Sequence, residues 1–186
     1  MNKLKGQICY LAGYIDDDKD GSAKSWRIDM TKFLNNLGIG VHNPCDKPII
    51  NTTVNEDENF VKSVQSLKEE GYYDKASDVM KEIVRQDLKM VDLSHFVVLN
   101  INRDSHMCGS YTEFTYACMM RKPVLVYCRQ GIPSISNWMW GLGDHHYFYD
   151  DWEQLKQQIK NIDSGLDTCD MNGKWRFFDM KKIFGA

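Results

Sequence analysis

Three side chains, widely spaced along the chain, are of the types needed for displacement at an anomeric carbon: Tyr10, Asp87 and Glu113. Glu113 ends the run Cys108-Gly109-Ser110-Tyr111-Thr112-Glu113, which follows an apolar stretch and opens a helical one. Backbone N–H groups at such a helix start bind anions, and the helix dipole favours an ionised carboxylate there. Glu113 can act as a nucleophile or base, or it can close a capping box with Ser110, three residues earlier. Asp87, in Val84-Arg85-Gln86-Asp87-Leu88, lies late in a helical pattern. It is either a second acid at the ligand end or an exposed helix acid. Two carboxylates near one another suit glycosyl chemistry, in which one attacks the anomeric carbon and the other handles a proton or orients the substrate. The Tyr10 hydroxyl can hold a carboxylate's rotamer, or its ring can fill the core.

Other candidates surround these three. Trp26-Arg27 opens a helix, and Arg27 can meet a phosphate or carboxylate or face solvent. Trp138 and Trp140 stand in a Gly- and Ser-rich loop, Ser134 to Gly143, where they can stack on a base or pack onto the domain. His145 and His146 are adjacent with no third ligand at metal spacing, so zinc is not expected. The acidic loop 16–21 lacks the closing Glu of a calcium loop and reads as a solvated turn. None of the six cysteines forms a CxxC pair, and they read as small core residues.

These residues need elements to position them. Apolar runs predict strands at 7–12, 39–42, 95–101, 124–128 and 147–149. Trp26, Met30, Phe33, Leu34 and Leu37 mark a helix from 22–25 to 37, with Gly38 as its cap. Val79, Ile83, Val84, Leu88 and Val91 mark the buried face of a second, over 73–91. Further helices begin near 109 and at 151. Residues 47–73 read as an insertion bordering the site, with a short helix near 60–67. The tail 163–186 carries Trp175, Phe177, Phe178 and Phe184, aromatic surface that must dock on this subunit or a neighbour.

Alternating strands and helices predict one α/β domain over 1–186, an open parallel sheet with helices on both faces, a three-layer Rossmann-like sandwich. Ligands of such sheets sit beyond the carboxyl ends of the strands, which places the loops after residues 13, 43 and 102 at the site. The hydrophobic fraction is 42% and the formal net charge is -3, a balance that fits a small polar substrate better than a nucleic-acid duplex. No apolar run is long enough to span a membrane or form a signal core, so a soluble cytoplasmic protein is expected.

In order along the chain, Tyr10-Leu11-Ala12-Gly13, Trp26-Arg27, Asn43-Pro44, Asp87-Leu88, Gly109-Ser110-Tyr111-Thr112-Glu113 and Lys122-Pro123-Val124 resemble the nucleoside 2-deoxyribosyltransferase family and the related nucleotide N-glycohydrolases. The resemblance covers about the first two thirds of the chain. It implies a flavodoxin-like sheet and a covalent mechanism without cofactor or metal, in which Glu113 is the nucleophile, Tyr10 positions it and Asp87 handles base or sugar. Gly13, Trp26, Arg27, Asn43, Pro44, Gly109 and Ser110 are the implied substrate-binding residues, Ser110 suiting a 5′-phosphate. The implied partners are a nucleoside or nucleotide, a free nucleobase as acceptor and further copies of the chain. Met107 and Cys108 stand where transferases carry an aspartate, and Tyr111 where hydrolases carry a second glycine, which would narrow the space above the sugar. The acceptor is therefore a second base or water, and a non-catalytic nucleotide sensor is the further alternative.

Overall fold

The computed structural model describes residues 2–15, 22–47 and 58–165. The acidic loop 16–21 and the aromatic tail beyond 165 lie outside the described residues. Five strands, β1 (Ile8–Gly13), β2 (Gly40–His42), β3 (Phe96–Ile101), β4 (Val124–Cys128) and β5 (Phe148–Tyr149), form an all-parallel sheet in the order β2-β1-β3-β4-β5. The helices are α1 (Ser22–Asn36), α2 (Glu58–Glu69), α3 (Tyr73–Leu93), α4 (Cys108–Met119), α5 (Asn137–Leu142) and α6 (Trp152–Ser164). This is the expected open α/β sheet with helices on both faces.

The alternation of side chains along each strand divides the core in two. Tyr10, Ala12, Val97, Leu99, Ile101, Val124 and Val126 face α3 and α4, where they meet Met90, Val91, Phe114 and Ala117. Cys9, Leu11, Phe96, Val98 and Leu125 face α1 and α6, where they meet Met30, Leu34, Leu155 and Ile159. A sheet covered on both faces needs continuous apolar strands, which is why these runs do not alternate with polar residues. Burial pushes the Cys9 thiol up, which keeps it protonated and inert.

Two predicted features differ. The inward stripe of α3 is Ala76, Ile83, Asp87, Met90 and Val91, whereas Val84 is 46% exposed. Ile83 and Val91 of the expected face are buried, whereas Val84 and Leu88 border a cavity that Ala76, Ile83 and Asp87 also line. The stretch 134–143 is not all loop. It contains α5, anchored by Met139, and leaves Trp138 76% exposed.

Candidate active site

The face carrying Tyr10 is the face on which α3 and α4 pack. A cavity of about 780 Å³ opens there, lined among others by Gly13, Asp87, Gly109, Ser110 and Glu113. That size lies in the usual range for small-molecule sites. Tyr10 is fully buried in β1 and donates its hydroxyl proton to Glu113 Oε1 at 2.5 Å. So short an O–H···O contact is typical of a bond to an ionised carboxylate. Residues 103 positions apart in sequence are thus joined at the carboxyl end of the sheet.

The capping alternative for Glu113 does not fit. Helix α4 begins at Cys108 with Met107 as its N-cap, and no side chain caps it. Ser110 and Glu113 are both inside the helix, and Glu113 lies in its second turn, where the dipole is weaker than in the first. The Tyr10 hydroxyl is the interaction seen at Glu113 Oε1. Tyr111 also departs from expectation. It packs on the core rather than lining the cavity, so it does not narrow the space beside Glu113, and that partial burial raises its phenol above the ordinary value.

Asp87, 7% exposed, faces the same cavity from α3. Against its Oδ1, at 2.8 Å, lies the ammonium of Lys47, whose side chain is fully buried. The contact is ionic rather than a well-aligned hydrogen bond. Lys47 was not singled out in the sequence, where it reads as one of many lysines at the edge of an irregular insertion. Asn43 and Pro44 explain its position. Neither lines the cavity. The Asn43 side chain accepts from the Cys45 N–H at 3.0 Å, and Asn43 bridges to Asp46, so the pair builds a tight turn after β2 that delivers Lys47 to α3.

Trp26 and Arg27 do not reach the cavity beside Glu113 either. Arg27 is 1% exposed, and its two terminal nitrogens donate to the carbonyls of Gly13 at 2.8 Å and Tyr14 at 3.1 Å. It braces the loop that leaves β1. The Arg27 guanidinium also lies over the Trp26 ring at 4.8 Å, and Trp26 stacks on Trp152 at 5.5 Å, tying α1 to α6. Trp26 instead borders a smaller cavity on the other face of the sheet. Gly13 meets both needs of its position, since a Cβ there would come within 2.9 Å of the Trp26 ring and 3.1 Å of the Asn100 carbonyl.

Asp144 stands beside the adjacent histidines. Ligand atoms of Asp144, His145 and His146 lie within 4.8 Å of one another, and His146 Nδ1 is 2.9 Å from Asp144 Oδ1. In the described structure Asp144 also caps the turn at 145–147 by accepting from the His146 N–H.

The fold is an open parallel α/β sheet, and a cavity lined by Gly13, Asp87 and Glu113 among others opens beside it. No protein-family model matches the chain, and no curated protein matches it in sequence. Solved structures do share its fold. The 2-deoxyribosyltransferase of Bacillus psychrosaccharolyticus superposes with a TM-score of 0.53 at 15% identity, over 80% of this chain and 90% of that one. A conserved protein from Enterococcus faecalis gives 0.51 at 15% identity, over 84% and 98%. The CMP N-glycosidase BcmB of Clostridium botulinum gives 0.46 at 13% identity, over 83% and 98%. The likeness is one of fold. No helix among the described residues is long and apolar enough to cross a membrane.

Proposed function

We propose that this protein cleaves the N-glycosidic bond of a (deoxy)nucleoside or nucleotide and transfers the 2-deoxyribosyl group to another base through a covalent intermediate on Glu113. The observation that carries the reading is the buried Tyr10–Glu113 hydrogen bond at the wall of a cavity that Asp87 also faces. Tyr10 orients the Glu113 carboxylate, and a carboxylate oxygen of Glu113 is the attacking atom. It bonds to C1′ as the C1′–N bond breaks, and the base leaves with that electron pair and takes up a proton from solvent. A ring nitrogen of a second base then bonds to C1′, releases its N–H proton to solvent and displaces Glu113, restoring the carboxylate. If water enters instead, the same intermediate gives hydrolysis. Gly109 and Ser110 lie beside the sugar, and the small Ser110 leaves room for a 5′ substituent. Arg27 and Gly13 act by shaping the loop after β1. The reading requires no cofactor and includes a cytoplasmic homo-oligomer.

A chromatographic screen of nucleosides and 5′-monophosphates, with and without a second free base, tests it. New nucleoside that appears only with the second base supports transfer, whereas free sugar or sugar phosphate supports hydrolysis. A 2-fluoro-2-deoxy nucleoside should leave a covalent mass gain on Glu113. Tight reversible binding with no adduct and no base release would replace the enzyme by a sensor.

A further inference from the structure

The Lys47–Asp87 pair bears on how the departing base acquires its proton. A buried ammonium facing a carboxylate is stable only if both groups stay charged, because removing either charge leaves the other uncompensated in a poorly solvated place. An adjacent positive charge favours the ionised form of an acid. The Lys47 side chain is fully enclosed, that of Asp87 is 10% exposed, and the two meet at 2.8 Å. Asp87 lines the cavity and Lys47 does not. The lysine therefore acts on the cavity through the aspartate. Among the described residues, the other titratable groups around this region include Tyr10 and Tyr14 in and after β1, His42 on β2, Lys68 on α2, Tyr73 on α3, and His106, Cys108 and Glu113 at and before α4. His42 is held by the Met90 carbonyl and the Ser94 hydroxyl at the far end of α3.

We propose that Lys47 is a positioning residue that keeps Asp87 an ionised hydrogen-bond acceptor, so that Asp87 orients base or sugar and is not the proton donor to the departing base. The inference rests on the glycosyl-transfer reading above. In the step that breaks C1′–N, the base leaves with the electron pair and takes its proton from solvent, the hydroxide left behind being neutralised by bulk buffer. The Asp87 carboxylate accepts an N–H or O–H of the substrate throughout and is unchanged at the end.

The test is the pH profile of kcat/KM for base release in wild type, Lys47→Met and Lys47→Arg. Without its ammonium, buried Asp87 takes up a proton more readily and loses its acceptor role. Lys47→Met should then fall at least tenfold below wild type near about pH 6 and recover towards alkaline pH, while Lys47→Arg keeps the wild-type shape. An acid limb that does not move in Lys47→Met, or a rise in activity on the acid side, overturns the proposal. Thermal melting without substrate separates this result from a failure of the functional reading. The double variant Lys47→Met/Asp87→Asn should melt above the value expected from adding the two single losses. Coupling in the melts with no turnover of any nucleoside keeps the ion pair and sinks the reaction. Turnover without coupling sinks the ion pair's role.

Discussion

Replacing Tyr10 by Phe removes one oxygen from the centre of the site and leaves a ring that is fully buried in the sheet's core. The lost atom donates to Glu113 Oε1 at 2.5 Å, and Glu113 is itself only 8% exposed, so water cannot readily take the donor's place. A hydrogen bond to a charged group contributes about 1.5–3 kcal/mol. For a chain of this size that lowers the melting midpoint by roughly 3–12 °C. The same bond fixes the direction in which the second carboxylate oxygen points. Losing that orientation should slow formation of the glycosyl-enzyme roughly 10- to 100-fold, the same free energy converted to rate. Rapid-quench measurement of the first turnover, with excess enzyme, reads this step apart from product release. Glu113→Gln provides the control. It cannot form the intermediate, and in that background Tyr10→Phe should cost only a neutral hydrogen bond, about 0.5–1.5 kcal/mol. A coupling energy near zero in the melting cycle, or a first turnover equal to wild type in Tyr10→Phe, would refute the assignment of Tyr10 as the residue that holds Glu113.

Other outcomes follow from the same geometry. Gly13→Ala places a Cβ 2.9 Å from the Trp26 ring and 3.1 Å from the Asn100 carbonyl, and overpacking of this kind should cost about 1–3 kcal/mol in urea unfolding. Arg27→Lys keeps the charge but loses the fork that reaches two carbonyls, so it should destabilise the protein and raise KM more than it lowers kcat, measured on whichever nucleoside the screen selects. His95 Nδ1 accepts the Ile8 N–H at 2.9 Å, a bond only the unprotonated nitrogen can make, and burial followed by the Lys122 charge lowers its tendency to protonate. Its contribution is therefore complete above the ordinary histidine value near about 6.5 and declines as the pH falls through the lowered one. Melting midpoints should drop over that acid range in wild type and less in His95→Asn, whose side-chain oxygen can accept the same N–H without titrating.

How far the sequence revealed this arrangement depended on whether a residue's neighbours shared its signal. The strands were legible because β1, β3 and β4 are buried on both faces and so are largely apolar, Asn100 in β3 being a buried exception. Gly38, at a positive φ of 75°, marked the end of the first helix as only glycine readily does. Tyr10, Asp87 and Glu113 were each ambiguous from local pattern and were grouped only by the family resemblance, because the meeting of Tyr10 and Glu113 depends on a register between β1 and α4 that no local pattern encodes. The inward stripe of α3 was misread because Val84 and Leu88 have the apolar character of core residues while lining an open cavity. Apolar periodicity does not distinguish a core wall from a cavity wall.

Arg27 and Lys47 show why charged residues were the hardest to place. In the sequence an arginine opening a helix at the ligand end suggests an anion, and a lysine in an irregular loop suggests solvent. In the fold Arg27 spends its donors on the carbonyls of Gly13 and Tyr14, and Lys47 is buried against Asp87. Neither lines the cavity. The consequence is electrostatic. Two buried cations stand behind the walls, while Asp87 and Glu113 face inward with Lys68 and His106 among the other lining residues. A cavity built this way suits a substrate that brings hydrogen-bond donors and develops positive charge at the reacting carbon, and an oxocarbenium-like sugar does both. Lys47 stands against Asp87 and the Tyr10 hydroxyl against Glu113, so each carboxylate is held by a partner from outside the cavity.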